Sequence, residues 1–285
     1  MKHTIHFSKM HGLGNDFIVV DAINQRLEGL DLPELAVNLC DRNFGIGADG
    51  LMLVLPSQDC DFKMRIFNAD GSEPQMCGNG IRCFAKFVHD RHLSDKEVFS
   101  VETLAGVIVP ALLIKEGRVE AIEVDMGPSI LERGKIPVSG GNASDRVISQ
   151  PIEVAGKTYQ FTAVSMGNPH AVIFVDDLKA IDLEEVGPLF EHHPLFPERV
   201  NVEFVQVINP KEAVMMVWER GSGETLACGT GACAITVAGV LNNVLDRRAL
   251  IHLPGGDLTI EWQASDNHVM MTGPATLVFE GQVEV

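Results

Sequence analysis

One short pattern occurs twice in the chain. FNADGSEPQMCGNG runs from Phe67 to Gly80 and WERGSGETLACGTG from Trp218 to Gly231, and the two align without a gap. Glu73 meets Glu224, Cys77 meets Cys228, Gly78 meets Gly229 and Gly80 meets Gly231. An apolar strand precedes each copy (Met64 to Phe67, Val214 to Trp218), and a helical pattern follows each. Two further echoes keep the same order. Gly14-Asn15 leads into FIVVD, while Gly167-Asn168 leads through Pro169-His170 into AVIFVD; Met126-Gly127-Pro128 answers Thr272-Gly273-Pro274. Self-similarity in matched order constrains a fold more than any single motif does.

Each half therefore reads strand, Gly-Asn turn, strand, helix, two strands, Cys-Gly-x-Gly helix, then further strands. The expected fold is α+β, with two pseudo-symmetric domains, each a mainly antiparallel sheet wrapped around a central helix. The first domain covers residues 1–127 and carries Cys77, with 273–285 returning to it; the second covers 128–272 and carries Cys228. The earlier helix of each half is expected at Pro33 to Arg42 and at Leu183 to His192. Strands are expected at Val98 to Thr103, Arg118 to Val124 and Ala249 to Leu253, and a loop at Ser139 to Ser144. After Gly80, Ile81, Phe84, Ala85 and Val88 form an apolar stripe opposite Arg82, Lys86 and His89. After Gly231 the helix is nearly apolar all round, so it should be enclosed on most sides.

Composition narrows the partners. A chain of 285 residues is long enough for one large or two modest domains. Its 39 acidic against 22 basic residues leave a net charge of −17. Such a surface repels phosphate backbones and anionic membrane faces, so neither nucleic acid nor membrane is expected as a partner. The most continuous apolar stretch, Ala232 to Leu241, is far short of the roughly 20 residues a bilayer requires. The opening MKHTIHFSKMHG alternates like a strand and lacks the features of a signal peptide, so a soluble, cytoplasmic protein is expected. None of the six cysteines forms a CxxC pair. Cys40, Cys60, Cys83 and Cys233 read as core thiols, and His192 and His193 as surface residues. Zinc ligation by Cys77, Cys83, Cys228, Cys233 and His170 would need tighter spacing than the sequence offers, so no metal is expected. Gly12-Leu13-Gly14 lacks the context of a dinucleotide fingerprint, and nothing suggests a Schiff-base lysine, so no cofactor is expected.

A cysteine immediately before a helix sits where backbone N–H groups lack intrahelical partners and where the helix dipole favours negative charge. Both effects lower a thiol pKa, and the same N–H groups can hold a carboxylate. One such cysteine is more often a small residue beside a tight turn. Two at matching places of a repeat suggest more, because the two helix starts could face one bound carboxylate. Removing the proton next to a carboxylate builds charge that two helix starts can stabilise. One thiolate takes the proton from one face and one thiol returns it to the other, which inverts the carbon. The pattern thus points to a two-base racemase or epimerase.

With HGLGNDF, FNADGSEPQMCGNGIRC, SMGNPHAV, FPERVN and ERGSGETLACGTGACA together, the chain closely resembles the diaminopimelate epimerase family, from Lys9 through to Ala275. The resemblance implies cofactor-independent interconversion of LL- and meso-diaminopimelate, a step toward lysine and peptidoglycan precursors, by a homodimer. It implies that Cys77 and Cys228 are the acid/base thiols, the first deprotonating the LL isomer and the second the meso isomer. The reacting carboxylate would lie on N–H groups around Gly78-Asn79 and Gly229-Thr230. Asn15, Asn68, Asn168, Asn201, Glu219 and Arg220 match positions that grip the substrate, and His170 and Glu219 match residues that tune the thiols or hold the reacting amino group. Such side chains suit an ammonium and a carboxylate at the far end of the substrate. Two departures stand out. Gly50 occupies a position where some members carry a substrate-contacting glutamine, and Phe279 one where some carry a tyrosine linked to dimer formation. Proline or hydroxyproline racemisation, a proton-shuttling isomerisation, and a non-catalytic amino-acid binding protein with inert cysteines are the rival readings.

Overall fold

A computed structural model describes residues 3–285; Met1 and Lys2, which begin the alternating N-terminal stretch, lie outside the described residues. In chain order the elements are β1 (Thr4–Gly12), β2 (Asn15–Asp21), α1 (Leu32–Cys40), β3 (Gly50–Leu55), β4 (Phe62–Asn68), α2 (Gly78–Asp90), β5 (Val101–Thr103), β6 (Gly106–Ile108), β7 (Ala111–Lys115) and β8 (Arg118–Pro128). There follow β9 (Gln150–Val154), β10 (Lys157–Ser165), β11 (Pro169–Phe174), α3 (Leu183–Glu191), β12 (Asn201–Asn209), β13 (Glu212–Glu219), β14 (Gly223–Glu224) and α4 (Gly229–Leu241). The chain ends in β15 (Arg248–Leu253), β16 (Gly256–Trp262), β17 (His268–Gly273) and β18 (Thr276–Glu284). Two compact units result, one of residues up to Asp125 together with Thr272–Val285, the other Met126–Met271.

In the first unit the sheet order is β18-β1-β2-β3-β4-β5-β6, and β7 and β8 pair as an antiparallel hairpin. The second unit runs β17-β16-β15-β13-β12-β11-β10-β9, with β14 beside β13. Pairing is mainly antiparallel, but β2–β3, β4–β5, β11–β12 and β13–β15 are parallel. Parallel neighbours need a crossover, and each of these pairs flanks an α-helix: α1, α2, α3 and α4 in turn. The repeat thus becomes physical: β1-β2-α1-β3-β4-α2 is answered by β10-β11-α3-β12-β13-α4. At the first turn of each set, Gly14 and Gly167 hold φ of 91° and 96°, a region open to glycine at little cost.

Helices on both faces explain why the central strands are apolar on both sides. Ile18, Val20, Leu51 and Leu53 join Leu35, Ala36 and Leu39 of α1 in one cluster. The alternate residues Phe17, Val19, Met52 and Val54 are also buried and point to the opposite face, where α2 packs on β1, β2 and β3. In the second unit, Ala171, Ile173, Val202 and Phe204 join Leu183, Val186 and Phe190 of α3. His170, Val172, Glu203 and Val205 have the other parity, and α4 packs on β10, β11, β12, β15 and β16. Among the described residues no helix is long and apolar enough to cross a membrane.

Local chemistry sets the helix limits. Asp31 caps α1 by accepting the Glu34 N–H, Asp182 caps α3 by accepting that of Glu185, and both helices end slightly earlier than the sequence suggested. The strand expected from Val98 shrinks to Val101–Thr103, whereas the one from Arg118 continues to Pro128. Arg82 is the clearest departure from the amphipathic reading of α2, since it is fully buried. Its guanidinium donates to the carbonyls of Pro274 (3.1 Å) and Gly78 (3.1 Å) and to Asn79 Oδ1 (2.9 Å), so its hydrogen bonds compensate for lost water.

Candidate active site

The two cysteines of the repeat hold the same local position. Cys77 is the N-cap of α2 and Cys228 the N-cap of α4, each with extended backbone. Each sulfur accepts the N–H of the glycine three residues on, Gly80 or Gly231, at 3.4 Å. A thiol thus stands where Ser, Asp or Asn usually caps a helix, among N–H groups with no helical acceptor.

Around Cys77 the first unit places Asn15, at the start of β2, with its Oδ1 3.5 Å from the sulfur and 3.3 Å from Asn79 Nδ2. Asn15 is oriented by donating to Asp49 Oδ2 at 2.7 Å. Asp49 belongs to a charged network in which Arg42 reaches both Asp16 and Asp49, and Lys9 pairs with Asp16 at 2.6 Å. Burial pushes the Asp16 carboxyl up, but hydrogen bonds from Arg42 and Lys9 outweigh it and hold it at about 2. Asn79 is buried, with Oδ1 taken by Arg82. Asn68 lies at the end of β4, donating to Ser72 Oγ at 2.9 Å. Gly50 is opposite Asn68 in the ladder, and a Cβ there would lie 2.8 Å from the Phe67 carbonyl, so the backbone leaves no room for a glutamine.

Around Cys228 the second unit gathers Asn168, His170, Glu203, Glu219 and Thr230. Asn168 Nδ2 donates to Thr230 Oγ1 at 3.2 Å, and that hydroxyl lies 3.5 Å from the sulfur. His170 is fully buried; Nε2 faces Asn168 Oδ1 at 3.1 Å and Nδ1 faces Glu203 Oε1 at 2.6 Å. The Cys228 sulfur, a His170 ring nitrogen and a Glu203 oxygen lie within 4.8 Å of one another, a buried Cys/His/Glu donor set of the kind that could also hold a metal. Glu219, at the end of β13, accepts the Thr225 hydroxyl at 2.5 Å. Asn201 is buried, donating to the Pro169 carbonyl at 2.8 Å and accepting the Arg220 N–H at 2.9 Å. The Arg220 side chain is exposed and reaches the Glu198 carbonyl at 3.0 Å. Gly78 and Gly229 are the first residues of their helices.

Electrostatics separate the second thiol from the simple helix-start expectation. Burial pushes Cys228 well above the ordinary thiol value, and Glu219 and Glu203, when ionised, push it further. The Thr230 hydroxyl and Gly231 N–H pull the other way and are outweighed. Helix-start stabilisation of a thiolate is therefore real here but subordinate to desolvation. Elsewhere, burial pushes Cys83 up to about 12 and Cys40 up to about 11, as for inert core thiols.

Pairing registers fix how the two surroundings correspond. Phe17 pairs with Gly50 and Leu51 with Phe67; His170 pairs with Asn201 and Val202 with Trp218. Phe17 therefore corresponds to His170, and Met52 to Glu203. A Cβ at Gly80 would meet Met52 Cε at 2.9 Å, whereas one at Gly231 would meet Glu203 Oε1 at 2.8 Å. Glu203 was not singled out from sequence. Its signal is a lone charge inside NVEFVQV, at the parity that faces α4.

The fold is shared with solved proteins of distant sequence. A Bacillus anthracis protein of the PhzF phenazine-biosynthesis family superposes with a TM-score of 0.72 at 18% identity, covering 99% of each chain. A hydroxyproline epimerase from Agrobacterium vitis gives 0.66 at 16% identity, over 99% of this chain and 91% of that one. Sequence is more particular. The diaminopimelate epimerase family profile matches residues 7–132 and 162–278. Diaminopimelate epimerase of Moorella thermoacetica is 57% identical over 277 residues, 97% of this chain and 98% of its own. That of Pelotomaculum thermopropionicum is 56% identical over 278 residues, 98% of each chain. The chain belongs to the diaminopimelate epimerase family and is an isomerase acting on an amino acid.

Proposed function

We propose that this enzyme interconverts LL- and meso-diaminopimelate with Cys77 and Cys228 as paired base and acid. The single observation that carries the reading is the same cysteine cap used twice, each sulfur 3.4 Å from the third N–H of its helix. In the LL-to-meso direction, Cys77 as thiolate takes the α-proton and Cys228 as thiol delivers one to the other face. The upward push on Cys228 supports it as the protonated partner. Charge building on the carboxylate during proton removal is met by helix-start N–H groups at Gly78-Asn79 and Gly229-Thr230. Asn15, Asn68, Asn168, Asn201, Glu219 and Arg220 bind the remainder of the substrate, and the need to satisfy its distal ammonium and carboxylate rejects simple amino acids. His170 and Glu219 act on Cys228. All of these steps use groups of the chain itself.

The enzyme is read as a cytoplasmic homodimer. β18 is an edge strand, and it exposes Leu277, Val278 and Phe279, whose ring packs edge-on against Phe7. An apolar edge of this kind favours burial against a second copy.

The test is incubation of the purified protein, without added cofactor, with LL-diaminopimelate in heavy water, following the α-proton signals by NMR. Loss of signal at one α-carbon with appearance of the meso isomer is expected. No exchange under reducing conditions overturns the reading.

A further inference from the structure

The floor beneath Cys228 holds a proton that the reaction scheme above does not use. Asn168 gives its amide to Thr230 and turns Oδ1 toward His170. A carbonyl oxygen only accepts, so His170 Nε2 carries a hydrogen. The 2.6 Å contact between Nδ1 and Glu203 Oε1 then requires a hydrogen as well, on one atom or the other, because two bare lone pairs would repel at that distance. Both side chains are fully buried, and among the described residues the second carboxyl oxygen of Glu203 has no hydrogen-bond partner. A carboxylate left there as a bare anion would bear an uncompensated desolvation cost. Burial accordingly pushes the Glu203 carboxyl up, against the pull of His170. The corresponding pair in the other unit, Phe17 and Met52, has no proton to share.

We infer that Glu203 and His170 hold one proton between them beneath Cys228, and that it moves from Glu203 to His170 when Cys228 becomes a thiolate. The step balances. The Cys228 S–H bond breaks, its proton goes to the substrate carbon and the electron pair stays on sulfur. The Glu203 O–H bond breaks and an N–H bond forms at His170 Nδ1, so an imidazolium faces the new thiolate. Reprotonation of Cys228 reverses both transfers. Glu203 is thus a positioning residue acting through His170. The groups facing Cys228 are His170 on β11, Glu203 on β12, Glu219 on β13 and the N–H groups of its own helix.

This inference rests on Cys228 being the acid of the proposed reaction, but its test needs no turnover. Iodoacetamide labelling of Cys228, read by peptide mass spectrometry across pH, gives the thiol's midpoint in the wild type and in Glu203→Gln. A shared proton predicts that Glu203→Gln raises the midpoint by about one pH unit or more, because glutamine has no proton to pass to His170 and no imidazolium forms opposite the thiolate. A lowered or unchanged midpoint overturns it, since removal of a bare carboxylate would instead make the thiolate easier to form. Should the variant fail to fold, 15N NMR of His170 in the unaltered protein decides. Nε2 protonated throughout the titration is expected, and an unprotonated Nε2, accepting from Asn168, overturns the shared proton. A protein that passes these tests but fails to exchange the α-proton of diaminopimelate would sink the proposed function alone.

Discussion

The two helix starts match in backbone and differ in what lies under them. Beneath α2 the strands offer Phe17 and Met52; beneath α4 they offer His170 and Glu203. Cys77 is half-buried beside an asparagine held by a charged network, while Cys228 is 4% exposed beside a buried acid and imidazole. Duplication supplied two equal anion-seeking ends, and divergence beneath them made the thiols unequal. A two-base reaction needs that inequality, because one thiol must start with its proton and the other without it.

Removing either member of the pair should have the largest effect. Cys77→Ala and Cys228→Ala are each expected to lower epimerisation by roughly a thousandfold or more, with circular dichroism unchanged. Substantial turnover in either variant would mean that the two thiols do not work as a pair.

A second way to test the inequality is to copy one floor into the other. Glu203→Met alone leaves the buried His170 nitrogen unpaired and should cost about 1–3 kcal/mol in urea unfolding. His170→Phe alone strands a buried, protonated carboxyl and should cost a similar amount, about 1–3 kcal/mol. The double variant reproduces the Phe17/Met52 pairing and should cost less than the two single changes summed. Simple additivity would show that the two side chains are not coupled.

The units should also respond oppositely to pH, with smaller effects. In the first, Asp16 sits at about 2 against an ordinary 3.8. Its contribution is complete above the ordinary value and is lost as pH falls toward 2. It amounts to about 2 kcal/mol, and Asp16→Asn should flatten acid unfolding in that window. In the second, Glu212 and Asp257 flank His252 and raise it above its ordinary 6.5. Its contribution is present below that value and fades as pH rises through the folded one. Because this cluster is largely solvated, less than about 1 kcal/mol is expected, read as a small pH-dependent difference in melting temperature between wild type and His252→Asn. A variant that melts in parallel with the wild type at every pH would remove the cluster from the account.

Much of this is legible in the sequence. The duplication, the element order and both cysteine caps follow from spacing, because a Cys-Gly-x-Gly stretch between a strand and an apolar stripe has few other ways to fold. Parallel pairing inside the sheets was less visible, although strand-helix-strand order implies it wherever the crossover returns to the same sheet. Arg82 and Glu203 were missed because each is buried with one partner from a distant segment, Pro274 and His170 respectively, and periodicity assigns charges to the surface by default. The network of Lys9, Asp16, Arg42 and Asp49 is likewise assembled from β1, β2 and the loop between α1 and β3 rather than by neighbours in sequence.

The return of β18 to pair with β1 has a consequence for how the molecule is made. The second unit is one continuous stretch, whereas the first cannot close its sheet until Thr276–Glu284 has left the ribosome. Synthesis usually lets the N-terminal part fold first. Here the later-made half can finish while the earlier one still presents the open edge of β1, so the nascent chain depends on β18 to hide a strand made long before it.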